Sequence, residues 1–213
     1  MVDESAINRK KDSQSFDTVA GQYDEYRPDY PQELVDSIVA LSRLPEGGCI
    51  LEVGNGTGKA TRLFARQGYA IHGIEPGQNL AALAARNLHA YPQVSFEITS
   101  FEEWQEQPAG FDLVMSAQAF HWVAGEIGYP KAARSLKLGG SLALFWNMHA
   151  GLHGQISVVL DVIYQKITPG SDSPLNSVEE TIQKRSDEIT QNDCFGPVTV
   201  RRFPWSRSYP TRQ

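Results

Sequence analysis

Residues 49–58 read Cys-Ile-Leu-Glu-Val-Gly-Asn-Gly-Thr-Gly. An apolar run that halts on Gly54, Gly56 and Gly58 is a strand ending in a tight turn, because glycine reaches backbone conformations closed to other residues. In an open α/β sheet a ligand sits outside the carboxyl ends of the strands, where the strand order reverses. This turn is therefore the first candidate ligand contact. A helix opening at Thr57 or Gly58 would direct unpaired N–H groups toward that ligand.

The glycine spacing narrows the ligand. A dinucleotide fingerprint needs G-x-G-x-x-G, and counting from Gly54 its third glycine position holds Lys59. No G-K-[ST] follows, so a phosphate-cradling loop is excluded as well. Glu52 stands two residues before Gly54. An acid there suits a ligand carrying an ammonium group and would repel a pyrophosphate. Glu75 follows the next apolar run, 23 residues on (75 − 52). An acid at that point can accept both hydroxyls of a ribose. An acid, a glycine turn and a second acid together suit an amino acid joined to a nucleoside.

The rest of the chain alternates in the same way. Residues 69–74, 94–98, 111–116 and 141–146 read as further strands, and 57–67 and 79–88 as helices, with a helix ending over 132–136 and a turn at Leu138-Gly139-Gly140. Apolar strands interleaved with helices predict a doubly wound, Rossmann-like α/β fold of three layers with a mostly parallel sheet. Ahead of it, Phe16, Val19, Tyr23 and Tyr26 recur at helical spacing. Pro31 opens a second helix carrying Leu34, Ile38 and Leu41. Behind it, 156–167 and 178–189 read as helices and 198–203 as a strand. The expected organisation is a disordered stretch over 1–14 and one domain over 15–213. Within that domain, 15–45 forms a helical lid, 46–148 the ligand-binding core and 149–213 the closing helices and strand.

At 213 residues the chain can bury one α/β core. Its formal net charge of −6 argues against a nucleic-acid partner, although Arg201, Arg202 and Arg207 lie close together. No window approaches the ~20 apolar residues of a membrane span, and the first residues lack a signal peptide's apolar segment, which points to the cytoplasm. Cys49 and Cys194 make no disulfide framework. His149 and His153 are spaced as metal ligands on a helix would be. Gly151 interrupts that helix and no third ligand is evident, so no metal is expected.

The segments ILEVGNGTGKAT, GIEPG, FDLVMSAQAFHWV and LKLGGSLALFW resemble the class I S-adenosylmethionine-dependent methyltransferases. Within that family they are similar to the methyltransferase-11-like group that includes trans-aconitate methyltransferase. FDTVAGQYDEYRPDYP resembles the group's helical entrance lid, and the likeness runs over residues 16–147. It implies S-adenosylmethionine as cofactor and a small-molecule methyl acceptor. It also implies cofactor contacts from Glu52, Gly54, Asn55, Gly56 and Gly58, from Glu75 at the ribose, and from Pro76, Ser100, Phe101 and Glu102 around the adenine. Ala117 and Gln118 would pass beneath the methionine part, and Arg27, with Tyr23 nearby, would meet its carboxylate. Phe120, His121, Trp122 and Trp146 would form the acceptor pocket, with His121 either a general base or a wall. Two departures stand out: Asn55 replaces a smaller residue, and the family's final antiparallel strand has no evident counterpart. The second motivates an alternative, a cofactor-binding module of the same fold that is weak or inactive as a catalyst.

Overall fold

The computed structural model describes residues 17–148 and 178–206, with short helical stretches at 158–159, 162–163 and 166–167. The expected disorder over 1–14, most of the expected helix over 156–167, and His149, His153 and Arg207 lie outside the described residues. The chain divides into two compact units, Met1–Trp146 with Arg201–Gln213, and Asn147–Val200.

In the first unit the order is helix α1 (Ala20–Tyr26), α2 (Gln32–Ser42), strand β1 (Cys49–Val53), α3 (Lys59–Ala65), β2 (Ala70–Ile74), α4 (Gln78–Asn87), β3 (Val94–Glu97), β4 (Phe111–Ala117), a 3-10 turn (Phe120–Trp122), α5 (Gly125–Ser135) and β5 (Leu136–Phe145). The sheet runs β3-β2-β1-β4-β5, and every pairing is parallel. Strand order therefore reverses between β1 and β4, which fixes where the crevice opens.

Burial on both faces explains why the strands are so apolar. Ile50, Leu51, Leu113 and Val114 have no exposed surface. On one face Val35 of α2 and Phe64 of α3 pack onto Ile50, Ile71, Leu113 and Met115. Each such fully buried side chain contributes about 1.5–3 kcal/mol. Alternation along β2 turns His72 to the other face. There its ring stacks on Phe111 at 6.5 Å, while Phe101 stacks on Trp104 at 6.0 Å and Phe120 meets Tyr129 of α5 at 5.0 Å.

Two expectations are corrected. The segment read as a helix end and a turn, Leu136–Gly140, belongs to β5: Leu136 pairs with Phe111 and Ser141 with Leu113, so Asp112 alone faces Lys137 through Gly140. Gly139 turns through φ +81°, and Leu138 projects fully into solvent. Residues 198–203 are not a strand in the described structure; Val198 and Val200 are exposed, while Phe203 packs on the core of the first unit. In the lid, Val19 and Tyr26 face solvent, and Leu41 of α2 is also exposed. In the second unit α6 (Val178–Gln191) extends two residues past its expected end.

Candidate cofactor and acceptor site

The turn after β1 is built as its glycines require. Gly54, Gly56 and Gly58 sit at φ +70°, +54° and +82°, the left-handed region that disfavours a side chain. Gly54 and Asn55 donate their N–H groups to Ile74 O, which moors the turn to the end of β2. A Cβ on Gly54 would lie 2.3 Å from Ala119 Cβ, so the loops following β1 and β4 touch at the reversal point. A Cβ on Gly58 would meet Leu88 Cδ1 at 2.5 Å, which sets how closely the chain past α4 approaches the turn.

Glu75 closes the turn from the β2 side. Its Oε2 accepts the Gly56 N–H and its Oε1 the Gly77 N–H, both at 2.9 Å. The side chain is buried, and desolvation pushes its carboxyl above the ordinary carboxylate value; the two N–H groups pull it back and the charge of Asp17 adds to the rise. Each oxygen keeps a second acceptor position, which two hydroxyls of a ribose would fill.

Glu52 is turned into the core of the domain. It lies in β1, on the same face as Ile50, and is 1% exposed. Its Oε2 accepts the Thr61 hydroxyl, and burial raises its pKa from 4.5 to about 8. Of the two expected acids, Glu75 is the one hydrogen-bonded to the turn, through the Gly56 N–H.

The other expected residues divide in the same manner. Asn55 is buried; its carboxamide oxygen has no hydrogen-bond partner and would lie 2.7 Å from a Cβ on Gly73 of β2. The Thr57 hydroxyl is likewise buried without a partner. Phe101 is buried inside the aromatic cluster, stacked on Trp104 and beneath the Lys131 ammonium, and presents no face to an adenine. Ser100 Oγ accepts the Glu103 N–H, and Glu102 accepts the Ala124 N–H. Lys131, buried in α5, donates to the carbonyls of Glu102 and Trp104 and holds this loop in place. Pro76 is exposed beside Glu75, and Arg27 is half-buried just past α1. Tyr23 lies on α1, its side chain outside the described set.

Past β4, Gln118 takes φ +61° and donates its N–H to Phe145 O, which ends the β4–β5 ladder at Ala117. Phe120 is buried against Tyr129. His121, Trp122 and Trp146 are half-buried at the carboxyl ends of β4 and β5. The Trp146 indole N–H donates to His121 Nδ1 over 3.3 Å, and the His121 and Trp122 rings lie 4.5 Å apart.

Sequence patterns gave no sign of Asp17. Its Oδ1 accepts the N–H groups of Asn79 and Leu80 at 2.8 and 2.9 Å, capping α4 from far along the chain. Asp24 and Asp29 face Lys59, and Asp29 also faces Arg62. The segment from 17 to 30 is thus fastened to both helices that follow the site strands.

The methyltransferase domain family matches residues 50–140. An uncharacterised methyltransferase of Mycobacterium tuberculosis is 30% identical over 95% of this chain and 80% of its own length. The chain belongs to the class I S-adenosylmethionine-dependent methyltransferases. An uncharacterised methyltransferase-like protein of Schizosaccharomyces pombe is 28% identical to this methyltransferase over 92% of the chain and 73% of its own length. Among solved structures, phosphoethanolamine N-methyltransferase 2 of Haemonchus contortus, in complex with phosphomonomethylethanolamine and S-adenosylhomocysteine, superposes with a TM-score of 0.57. It is 19% identical, covers 86% of this chain and 43% of its own, and so supports the fold alone. The family's cofactor is S-adenosylmethionine, and the residues of this methyltransferase fit it at the ribose: a buried carboxyl that accepts two N–H groups lies at the edge of a glycine-rich turn.

Among the described residues, no helix is long and apolar enough to cross a membrane, and no group of His, Cys, Asp or Glu could hold a metal ion.

Proposed function

We propose that this chain transfers a methyl group from S-adenosylmethionine to a small-molecule acceptor, with a carboxylate as the acceptor chemistry that asks least of the protein. The observation that carries the reading is the Glu75 carboxylate, held by the Gly56 and Gly77 N–H groups where the loops of β1 and β2 meet. When bound, the cofactor supplies a methyl group on a sulfonium, which passes in line to a nucleophile while a neutral sulfide leaves. The protein's part is to hold and orient. Glu75 accepts the ribose hydroxyls, and Gly54 and Gly56 keep the turn free of side chains. Arg27 and Tyr23, Pro76 and Ser100, and Ala117 and Gln118 make the proposed contacts to carboxylate, adenine and methionine. Trp122 and Trp146 wall the acceptor from water. A carboxylate is ionised at neutral pH and needs no base.

The net charge of −6 supports a reading without a nucleic-acid partner, and the reading includes a cytoplasmic location. The test has two parts. Calorimetry should find S-adenosylmethionine binding that weakens about 10- to 100-fold in Glu75→Gln, the value of hydrogen bonds to a charged acceptor. Isotopically labelled cofactor given to a metabolite extract should yield a labelled small molecule by mass spectrometry. Equal affinity in the variant, or no binding to either protein, would overturn the proposal.

A further inference from the structure

Lys131 carries a charge where the fold offers it little water. It lies in α5, 7% exposed, with its ammonium over the Phe101 and Trp104 rings at 5.6 and 5.8 Å. Burying an ammonium is costly unless hydrogen bonds compensate, and an apolar side chain of similar length would fill the space at lower cost. Its bonds all go to the loop after β3: Nζ donates to the carbonyls of Glu102 and Trp104. Inside that loop the Glu103 and Trp104 N–H groups turn back to Ser100 O. From outside, Glu102 Oε1 accepts the Ala124 N–H at 3.1 Å, just ahead of α5. Helix α5 thus grips the turn at two levels, through Ala124 and through Lys131. Ala119, earlier in the segment that leads to Ala124, abuts Gly54 of the glycine turn.

We propose that Lys131 is a positioning residue for cofactor recognition: through the Glu102 and Trp104 carbonyls it fixes the turn that begins at Ser100, and with it the fit of the adenine edge. The inference rests on the methyltransferase reading, which sets Ser100 at the adenine, and adds the residue that holds Ser100 in place. Adenine offers an amino donor beside an acceptor nitrogen on its pairing edge. Hypoxanthine offers an oxygen acceptor beside an N–H, so each hydrogen bond there reverses its polarity. A turn held in one shape separates the two bases, whereas a loose one re-forms around either. The buried charge supplies that rigidity, because releasing either carbonyl would leave the ammonium short of a partner.

The test compares S-adenosylhomocysteine with S-inosylhomocysteine by calorimetry on the full chain, well below its unfolding midpoint. Wild type should prefer the adenine ligand by about 10-fold or more, as hydrogen bonds left unmade require. In Lys131→Met, which keeps a long apolar stem and removes the donors, the preference should fall below about 3-fold, chiefly through weaker S-adenosylhomocysteine binding. A lysine that served stability alone would lower the melting midpoint and leave the ratio of the two affinities unchanged. Ala124→Pro is the second variant. Its backbone already takes φ −63°, so proline fits there and removes only the N–H that Glu102 accepts. The preference should shrink in this variant too, and circular dichroism reports whether each variant is folded. No preference in wild type, or an unchanged ratio in folded Lys131→Met, would overturn the positioning role; should that variant not fold, an unchanged ratio in Ala124→Pro would do so. Failure of S-adenosylhomocysteine to bind wild type would instead end the methyltransferase reading.

Discussion

Thr61 Oγ1 donates to Glu52 Oε2 over 2.7 Å, with neither residue more than 1% exposed, tying strand β1 to helix α3 just past the glycine turn. The bond lowers the cost of a buried carboxyl without restoring its charge, since burial still holds the pKa at about 8. The folded chain therefore keeps a proton that the unfolded chain, at its ordinary 4.5, has released. That contribution is complete below about pH 4.5 and is lost as pH rises through 8.

Unfolding midpoints should accordingly fall between pH 5 and 8 in wild type, by roughly 2–4 °C for each kcal/mol lost. Glu52→Gln cannot ionise and keeps an oxygen for Thr61, so its midpoint should vary less over that interval. Glu75, raised in the same direction, supplies the remaining slope. Identical slopes in thermal melts of the two proteins would show that Glu52 is ionised in the fold.

Gly54→Ala should destabilise by about 2–3 kcal/mol, joining the cost of a left-handed alanine to that of a crowded methyl. The crowding comes from Ala119 Cβ, 2.3 Å from the added atom. Ala119→Gly in the same chain should recover the packing share and leave the backbone share, so the double variant falls between the single variant and wild type. Denaturant titration measures both; a double variant no better than Gly54→Ala would place the clash elsewhere.

Asp17→Ala should cost about 1 kcal/mol, as loss of a helix cap does. The loss should be local, with faster hydrogen exchange at the Asn79 and Leu80 amides that Asp17 now holds. Asp17→Asn keeps an acceptor and should retain most of the protection. Unaltered exchange at those two amides in Asp17→Ala would refute the cap.

Asp29→Ala, by contrast, should change stability by less than about 0.5 kcal/mol. Its bridges to Lys59 and Arg62 span 3.4 and 3.5 Å, and its carboxylate is 57% exposed, where water and salt screen the charge. A larger loss, seen in chemical denaturation at moderate salt, would mean that the bridges act together as a network.

The centre of the sheet was legible because β1 and β4 are largely buried on both sides, and such a strand shows as a nearly unbroken apolar run. Cys49–Val53 matched its expected bounds for that reason. The start of β5 was hidden by Leu138 and Gly139, whose bulge reads as a turn. Residues 198–203 read as a strand from their composition, yet their backbone is not in strand form in the described structure. The two acids differed in a way that strand period alone decides: Glu52 shares the parity of Ile50 and so faces α3, whereas Glu75 lies past the end of β2 and is free to reach back to the turn. Asp17 was not legible, since no spacing rule links it to residues 79 and 80. The contact of Trp146 with His121 was not legible, because it joins the ends of two different strands.

Asn55 and Gly73 leave one last consequence, and it concerns history. The carboxamide of Asn55 occupies the volume a Cβ on Gly73 would claim, its oxygen only 2.7 Å from that point. Gly73 cannot gain a side chain while Asn55 keeps its place. A lineage leading to an alanine in the middle of β2 must first have exchanged the asparagine for something smaller, and the reverse path must pass through glycine before asparagine arrives. The order of those two substitutions is thus written into the shape of the notch, and reconstructed ancestors should never carry asparagine beside a side chain there.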